Sequence, residues 1–367
     1  MEGGPAAQCP TAAFRAPHGM LDYDPKDEAL LIRRLITELD LTKMAAGVPC
    51  LPAYVLAMCI RRADDVNDAR RMQSLLNASI AAIKDVTQGR RELALSSFWL
   101  ANCCRLLQCL KQRPGSAPPE LAALCEALYA QLCANADAAL QPMVVPAVLE
   151  SQTLWGLQAV GRRPQRRSPS HSLGGLIGRL DAVCRVTGEH GLEPQLVLQL
   201  FRHLFYRVTA WALNHLLLRK DLCSWSTGLQ LRFNISQLEE WLRKQQLQHS
   251  GALEALQPLI QAAQLLQLSK KSPEDAEAIC KHCTELSSQQ IVKLLTLYSP
   301  VDEFEERVSV AFIRTVQAKL KDRDDPNQLL MDSKRTFPLL IPYNPTPVPL
   351  DSIRVPSYLN LDFLIPL

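Results

Sequence analysis

The sequence predicts an all-α fold, in which two bundles of helices form an elongated body and an extended, proline-rich C-terminal strap packs onto it. Three observations carry this prediction. Hydrophobic residues make up 47% of the 367-residue chain, which is enough to build a large core. Apolar residues recur at spacings of three and four through most of the chain, which is the period of an amphipathic helix. After Phe337 the prolines are too frequent for a regular helix.

Residues 21–160 are predicted to form the first helical subdomain, after a flexible N-terminus of residues 1–20. The N-terminal segment is rich in Gly, Ala and Pro and offers little to bury. The first helix of the subdomain is indicated by an apolar stripe at helical spacing, formed by Leu31, Leu35, Ile36 and Leu39. A second helix follows the break at Pro49 and Pro52, and a third covers residues 96–112.

Residues 161–175 are predicted to be a mobile, basic Ser/Pro linker between the two subdomains. Arg162, Arg163, Arg166 and Arg167 alternate with Pro, Gly and Ser, so the segment has almost nothing apolar to bury. Such a stretch cannot offset the entropy lost on ordering.

Residues 176–335 are predicted to form the second helical subdomain, because helix-start signals recur there. Ser272 stands before Pro273 and Asp275, which is the arrangement of an N-cap, a first-turn proline and a capping-box acid. Three further pairs have the spacing of a helix start: Ser236 with Glu239, Ser287 with Gln290, and Ser299 with Asp302.

A long amphipathic helix is predicted to follow Pro300 and to end near Asp325-Pro326. Its apolar face has members three or four residues apart: Val301, Phe304, Val308, Phe312, Val316 and Leu320. Residues 336–367 then form the predicted strap, in which frequent prolines exclude a helix while many apolar residues favour packing onto the helical body.

Composition excludes several classes of function. The chain has 40 basic and 37 acidic residues, a net charge of +3, which argues against nucleic-acid binding. Twelve cysteines without a secretory signal indicate reduced thiols of a cytoplasmic protein rather than a disulfide framework. No uninterrupted apolar run reaches the length of a membrane span, so direct membrane insertion is not expected.

No motif predicts catalysis, and we expect neither a cofactor nor a metal. The phosphate-binding loop, the dinucleotide-binding fingerprint and the common hydrolase motifs are absent from the sequence. Cys280 and Cys283 have the spacing of half a zinc site, but no second pair lies at a suitable distance, so a helix surface is favoured. Trp225 and Trp241 are either core anchors or partner contacts, and the core is favoured.

The segment 216–242, which contains LLLRKDLCSWSTG followed by QLRFNISQLEEWL, resembles the signature of the dilute domain of class V myosins. Further blocks that resemble the family follow in the same order, at 258–267, 275–280, 290–293, 304–308 and 312–315. Several separated blocks in order are far more specific than one short motif.

This resemblance implies a cargo-binding globular tail, which binds vesicle adaptors or Rab-type small GTPases for actin-based vesicle transport. It also implies that the tail docks on the myosin motor head for autoinhibition. The chain is then expected to be non-enzymatic and cytoplasmic, associated with vesicles or recycling endosomes through its partners. The alternative is a free-standing adaptor or tethering scaffold without a motor, which would compete for the same cargo.

The resemblance also implies roles for four residues. An aromatic and a glutamine at the positions of Phe233 and Gln267 face a Rab-type GTPase in members of the family, where the aromatic is usually Tyr. Lysines at the positions of Lys220 and Lys293 contact acidic groups of the motor head in the inhibited state. The alternative is that both lysines are ordinary solvated charges without a role in docking, because exposed ion pairs are individually weak.

Ser168 and Ser170 are candidate phosphorylation sites. Both follow Arg166 and Arg167 in the predicted linker, which suits a kinase that recognises basic residues, and the family carries a comparable site. An unmodified flexible connector is the open alternative. A phosphate there would bring strong negative charge beside the arginines.

Overall fold

The fold is predominantly helical, which confirms the predicted all-α class. The computed structural model describes residues 13–16, 18–44, 47–111, 118–151, 172–300, 305–324, 328–342, 344, 346 and 348–367. Within these ranges there are thirteen α-helices and four strands of two or three residues. The first seven helices are α1 (Glu28–Ile32), α2 (Leu41–Met44), α3 (Leu51–Asp65), α4 (Ala69–Thr87), α5 (Leu93–Lys111), α6 (Pro119–Val144) and α7 (Leu173–Glu189). The others are α8 (Pro194–Leu218), α9 (Trp225–Lys244), α10 (Ala252–Gln267), α11 (Pro273–His282), α12 (Ser288–Leu297) and α13 (Val310–Leu320).

The chain forms two compact units that are discontinuous in sequence. Unit 1 comprises residues 1–132, 185–196 and 339–367, and unit 2 comprises residues 133–184 and 197–338. The boundaries therefore differ from the predicted division at 161–175: unit 2 begins within α6, well before the basic segment. Helix α7 begins at Leu173, inside the predicted linker, and Ser172 Oγ accepts a hydrogen bond from the backbone N–H of Gly175 (3.1 Å).

The core of unit 1 is built on α3, α4 and α5. A buried asparagine links α5 to α3: Asn102 Oδ1 on α5 accepts from the Ala53 N–H on α3 at 3.0 Å, and the Asn102 amide donates to Phe98 O at 2.9 Å. The Ala53 N–H belongs to the first turn of α3, where backbone donors have no intrahelical acceptor. The asparagine thus satisfies a buried donor that the fold itself cannot satisfy.

The two ends of the chain pair with each other in unit 1. Strand β1 (Ala13–Arg15) is antiparallel to β3 (Arg354–Pro356), and β2 (Leu21–Asp22) is antiparallel to β4 (Ile365–Pro366). The C-terminal segment is extended, as predicted from its prolines, and its inward side chains are buried: Leu350, Ile353, Val355, Leu359, Leu361 and Leu364. The prediction of a flexible N-terminus is wrong for residues 13–15, because strand pairing orders them.

Unit 2 packs α8, α9 and α10 around aromatic residues. The indole of Trp241 stacks on the Phe205 ring at 6.2 Å and donates through Nε1 to Asp181 at 2.6 Å. Local signals predicted the starts of α11 and α12 correctly: Ser272 with Asp275, and Ser287 with Gln290, form complete capping boxes.

Two predicted helix starts in unit 2 are wrong. Ser236 lies within α9 and its hydroxyl donates to the carbonyl of Phe233 at 2.7 Å, so it caps nothing. The long helix predicted after Pro300 begins only at Val310, where Ser309 Oγ accepts from the Phe312 N–H at 3.1 Å. Residues 305–309 are not helical; residues 301–304, and Asp325-Pro326 where its end was expected, lie outside the described part of the chain.

Two stretches, Leu93–Lys111 and Pro119–Leu149, are long and apolar enough to cross a membrane by length and composition alone. Of their most apolar 18 residues, 72% and 50% are buried within the protein. For α5, burial in the core of unit 1 accounts for the apolar composition.

Candidate partner-binding site

The start of α9 lies very close to the end of α10 because residue 228 is a glycine. A Cβ atom on Gly228 would lie 2.7 Å from Leu266 Cβ and 2.8 Å from the carbonyl oxygen of Ala263, closer than real Cβ contacts. Only glycine therefore allows the two helices to approach this closely. The approach brings Gln267, whose Cγ is 3.3 Å from the same position, next to the first turn of α9.

A cleft of about 360 Å³ opens beside this crossing, within unit 2. It lies between the first turn of α9, the end of α10, the residue after α12 and the non-helical segment before α13. Its lining residues are Trp225, Gln267, Leu268, Ser269, Lys270, Lys271, Tyr298, Glu305, Glu306, Arg307, Val308 and Ser309. The cleft thus combines two aromatic residues, two aliphatic residues and both signs of charge.

Trp225 is 42% exposed at this cleft, whereas Trp241 is 5% exposed. The preference for a core position is therefore confirmed for Trp241 and wrong for Trp225. Trp225 is the first residue of α9, after the N-cap Ser224, and a first-turn side chain at a helix end can remain outside the core. Exposed tryptophans are enriched among residues that dominate binding energy.

A polar network forms one wall of the cleft. Tyr298 donates its hydroxyl hydrogen to Glu305. Lys270 Nζ lies 4.1 Å from the centre of the Tyr298 ring and donates to the carbonyls of Leu266, at 3.0 Å, and Leu268. The lysine therefore satisfies carbonyls at the end of α10, as cations at helix C-termini do.

Burial changes the pKa values of this network. The pKa of Lys270 is lowered to about 8 because burial disfavours the ammonium form, and the nearby Glu305 and Asp275 act in the opposite direction. Burial, reinforced by the hydrogen bond to Glu305, raises the pKa of the Tyr298 hydroxyl. Near neutral pH the cleft thus holds a poorly solvated cation beside a neutral phenol.

The two residues of the predicted GTPase surface have different positions. Gln267 lines the cleft, is half-buried, and uses its amide to donate to the carbonyl of Ala263 at 3.0 Å on its own helix. Phe233 is half-buried on α9 and is not among the residues that line the cleft. The structure places both on the α9–α10 pair without bringing both into one pocket.

The two lysines of the predicted motor-docking site are each related to Cys223, one through its backbone and the other through its charge. Lys220 is exposed in the turn Lys220–Leu222, and its carbonyl accepts from the Cys223 N–H at 3.1 Å. The pKa of the Cys223 thiol is raised to about 12 by burial and by Asp221, while the charge of the half-buried Lys293 acts in the opposite direction. The charge of Lys293 therefore acts close to the turn that contains Lys220, although the two residues are far apart in sequence.

Ser168 and Ser170 lie outside the described residues. Within the described ranges, no three His, Cys, Asp or Glu side chains are arranged to hold a metal ion.

The cleft contains residues that the sequence did not single out. Lys270, Tyr298 and Glu305 are far apart along the chain and share no spacing pattern. Tertiary packing alone assembles them. The sole sequence signal was that Glu305 and Gln267 stand within blocks that resemble the dilute family.

Comparison with known proteins agrees with that resemblance. The chain matches the DIL domain over residues 199–302. It is 50% identical to human unconventional myosin-Vb over 378 aligned positions, covering 94% of this chain and 20% of that protein. It is 45% identical to unconventional myosin-Va of Gallus gallus, covering 94% of this chain and 21% of that protein. The chain thus spans about a fifth of the length of these relatives.

Two solved structures of myosin tail domains have a similar fold. A myosin V cargo binding domain superposes with a TM-score of 0.65 at 20% identity, covering 86% of this chain and 93% of that one. Myo2-GTD in complex with Mmr1 gives a TM-score of 0.63 at 22% identity, covering 81% of this chain and 82% of that one. At this level of identity the likeness shows a shared fold.

Proposed function

This chain belongs to the dilute-domain family and corresponds to the globular tail of class V myosins, and on that premise we propose that it binds cargo adaptors. The observation that carries the proposal is the 50% identity to myosin-Vb across 94% of the chain. Related tails have been solved with the partners Mmr1, Smy1 and Inp2. A tail with the same fold and an exposed tryptophan beside a mixed-charge cleft has the features that adaptor recognition requires.

A Rab-type small GTPase is proposed as a second class of partner, which contacts the α9–α10 pair. Gln267 and Phe233 support this proposal: both are half-buried, so each keeps part of its side chain accessible to a partner. Gln267 is a neutral hydrogen-bonding residue, and it lines the same cleft as the exposed ring of Trp225. An uncompensated charge at such a contact weakens binding strongly.

The test is retention of GTP-loaded Rab proteins and of adaptor fragments on the immobilised chain. Gln267→Arg is expected to weaken Rab binding by about 2 kcal/mol or more, because a long cation replaces a neutral donor and acceptor. Gln264→Arg is the matched control, since Gln264 lies on the same helix with its side chain exposed. Phe233→Tyr is expected to strengthen binding by restoring a hydroxyl.

The outcomes separate the two classes of partner. If neither the parent nor Phe233→Tyr retains any Rab, adaptors remain as the cargo route. If neither Rab proteins nor adaptors are retained, the cargo-binding function is wrong. Equal loss in the Gln264 and Gln267 variants would show that the added charge, and not the position, weakens binding.

Docking on a motor head is proposed as the regulatory function of the same unit. Two observations support it: Lys220 is exposed in the turn before Cys223, and the positive charge of Lys293 acts on the Cys223 thiol. Phosphorylation of Ser168 or Ser170 would add negative charge beside a basic run and change partner binding. We expect the change in partner binding to be lost when both serines are replaced by Ala and to be retained when they are replaced by Asp.

We further propose that the protein acts without catalysis, in the cytoplasm, and reaches vesicles or recycling endosomes through its partners. The missing phosphate-binding loop supports the first part. ATP hydrolysis by the pure protein that a single substitution in the chain abolishes would contradict it. For the second part, we expect the protein to co-localise with a vesicle marker and expect Gln267→Arg to abolish this co-localisation.

A further inference from the structure

Residues 328–337 of unit 2 follow α13 and lie along the outside of the helices. From 329 to 333 the burial alternates: Leu329, Met331 and Ser333 are half-buried, whereas Leu330 and Asp332 between them are exposed. Alternation with a period of two is the pattern of an extended chain lying on a surface. None of these residues is fully buried.

Side chains of α8 and α12 bind this segment through its backbone. Asn214 makes two bonds to Met331: its amide donates to the carbonyl at 2.9 Å, and its Oδ1 accepts from the N–H at 2.8 Å. Gln290 donates to the carbonyl of Leu329 at 3.0 Å. Tyr206 donates to that of Asp332, also at 3.0 Å.

Hydrogen bonds to a peptide backbone do not depend on the side chains of the peptide. A paired bond from an asparagine amide satisfies both the donor and the acceptor of one residue. Three helix side chains thus recognise consecutive parts of an extended backbone, in the way that a peptide-binding surface does. Ser287 extends the series by donating to the carbonyl of Gln328 at 3.1 Å.

One side chain of the segment supplies a specific anchor. The ring of Phe337 meets the ring of Tyr206 edge-on, with centroids 5.3 Å apart and planes at 85°. The guanidinium groups of Arg202 and Arg335 lie 4.8 and 5.2 Å from the centre of the Phe337 ring. The edge of His203 faces the same ring at 6.4 Å. An aromatic ring between cations and another ring is a favourable and directional contact.

We propose that the surface of α8 and α12 is a binding groove for an extended peptide of a partner that carries one aromatic residue, and that residues 328–337 cover this groove in cis. The class of partner rests on the proposed cargo-binding function; the groove rests on the contacts alone. A covalently attached cover competes at an effective concentration of roughly millimolar order. Weak ligands therefore cannot displace the cover. A partner whose peptide binds Asn214, Gln290 and Tyr206 more tightly than residues 328–337 do can displace it.

The test uses a fluorescent peptide of residues 328–338 as the probe, added to the full chain and followed by fluorescence anisotropy. Phe337→Ala in the chain weakens the cover without changing the groove. We expect the probe to bind this variant about tenfold more tightly than the parent, because the closed fraction falls. A second substitution, Asn214→Ala, is expected to reduce that binding about tenfold by removing two hydrogen bonds.

Arg335→Ala provides a milder opening of the cover, in case Phe337→Ala fails to fold as judged by circular dichroism. The matched control probe carries Ala in place of Phe337 and is expected not to bind. Failure of the normal probe to bind either opened variant would overturn the proposal, as would equal binding of the two probes. A dimer of the parent chain in solution that Phe337→Ala abolishes would assign the groove to a second copy and overturn the assignment to a partner. Because no cargo is present, none of these results depends on the retention assay for adaptors and Rab proteins.

Discussion

Gly228 determines how closely the two helices of the partner-binding unit approach. In Gly228→Ala the new methyl group meets Leu266 Cβ and the Ala263 carbonyl at 2.7 and 2.8 Å, and a backbone atom cannot move aside cheaply. We expect a loss of about 1–3 kcal/mol in the free energy of unfolding, measured by urea denaturation. In Gly178→Ala the new methyl group has no atom within 4 Å, so this change should stabilise α7 by about 0.5–1 kcal/mol. Equal effects of the two variants would contradict the steric explanation.

Single residues also show where sequence reasoning ends. Gln267 was identified because its surroundings resemble a family block, and it does line the cleft. Trp225 stands in an equally family-like block, but its side-chain exposure depends on which helix end it occupies, and its burial could not be derived from residue type. Lys270 was overlooked because a lysine after a helix usually points into water; here Tyr298 and two carbonyls hold it.

The start of α9 presents the first turn of that helix to the cleft. Ser224 Oγ accepts from the Thr227 N–H at 3.3 Å and is the N-cap, whereas Ser236 lies mid-helix. Ser224→Ala should cost about 1 kcal/mol of stability through loss of the cap. Ser236→Ala removes only a bond to a carbonyl within the helix and should change stability by less than about 0.5 kcal/mol. Thermal unfolding of the two variants measures the difference, and a larger loss for Ser236→Ala would restore the predicted helix start.

Elements with purely local signals could be predicted, and those that depend on distant contacts could not. The capping boxes of α11 and α12 involve residues three apart, so the sequence contains all the information for them. For α13 the apolar spacing extends upstream to Val301, but Tyr298 binds Glu305 and residues 305–309 line the cleft instead. A tertiary contact thus shortened the helix that periodicity predicts.

For the whole molecule, the all-α class and the extended C-terminus followed from periodicity and proline content. The division into units did not, because strand pairs between the two chain ends and helices that begin in one unit and continue in the other leave no compositional mark. A change in composition identifies a segment that cannot pack. It does not identify which packed segments share a core.

Buried thiols make the stability of the whole molecule sensitive to alkaline pH. Burial raises the pKa of Cys50 and Cys109 to about 11, and that of Cys59, Cys223 and Cys283 to about 12. Above the ordinary thiol pKa the unfolded chain loses these protons while the folded chain keeps them, so stability falls as pH rises. Lys270, whose pKa is lowered to about 8, opposes this effect with a single proton.

We expect the urea midpoint, measured in reducing buffer, to fall steadily from pH 8.5 to 10.5. Each fully titrating thiol contributes up to about 1.4 kcal/mol per pH unit. Cys59→Ala removes one buried thiol and should make the decline shallower. A midpoint that stays constant over this range would contradict the assignment of these thiols to the folded core.

The regulatory proposal concerns the charge that the molecule presents to a motor head. Lys220 is exposed in the turn before Cys223 and the charge of Lys293 acts on the Cys223 thiol, and we propose that one acidic site contacts both lysines. Adding this chain to a class V motor without its tail should reduce actin-activated ATPase, and the inhibition should weaken as salt screens the contact. The double Lys→Ala variant should lose most of the inhibition. If the two lysines share one site, the effects of the single variants on inhibition should not add up to the effect of the double variant. Lys244→Ala is the control, because that exposed lysine is paired with Glu240 at 2.9 Å on its own helix. If the double variant inhibits as well as the parent, or the parent does not inhibit, the motor-docking function is wrong for this chain and cargo binding stands alone.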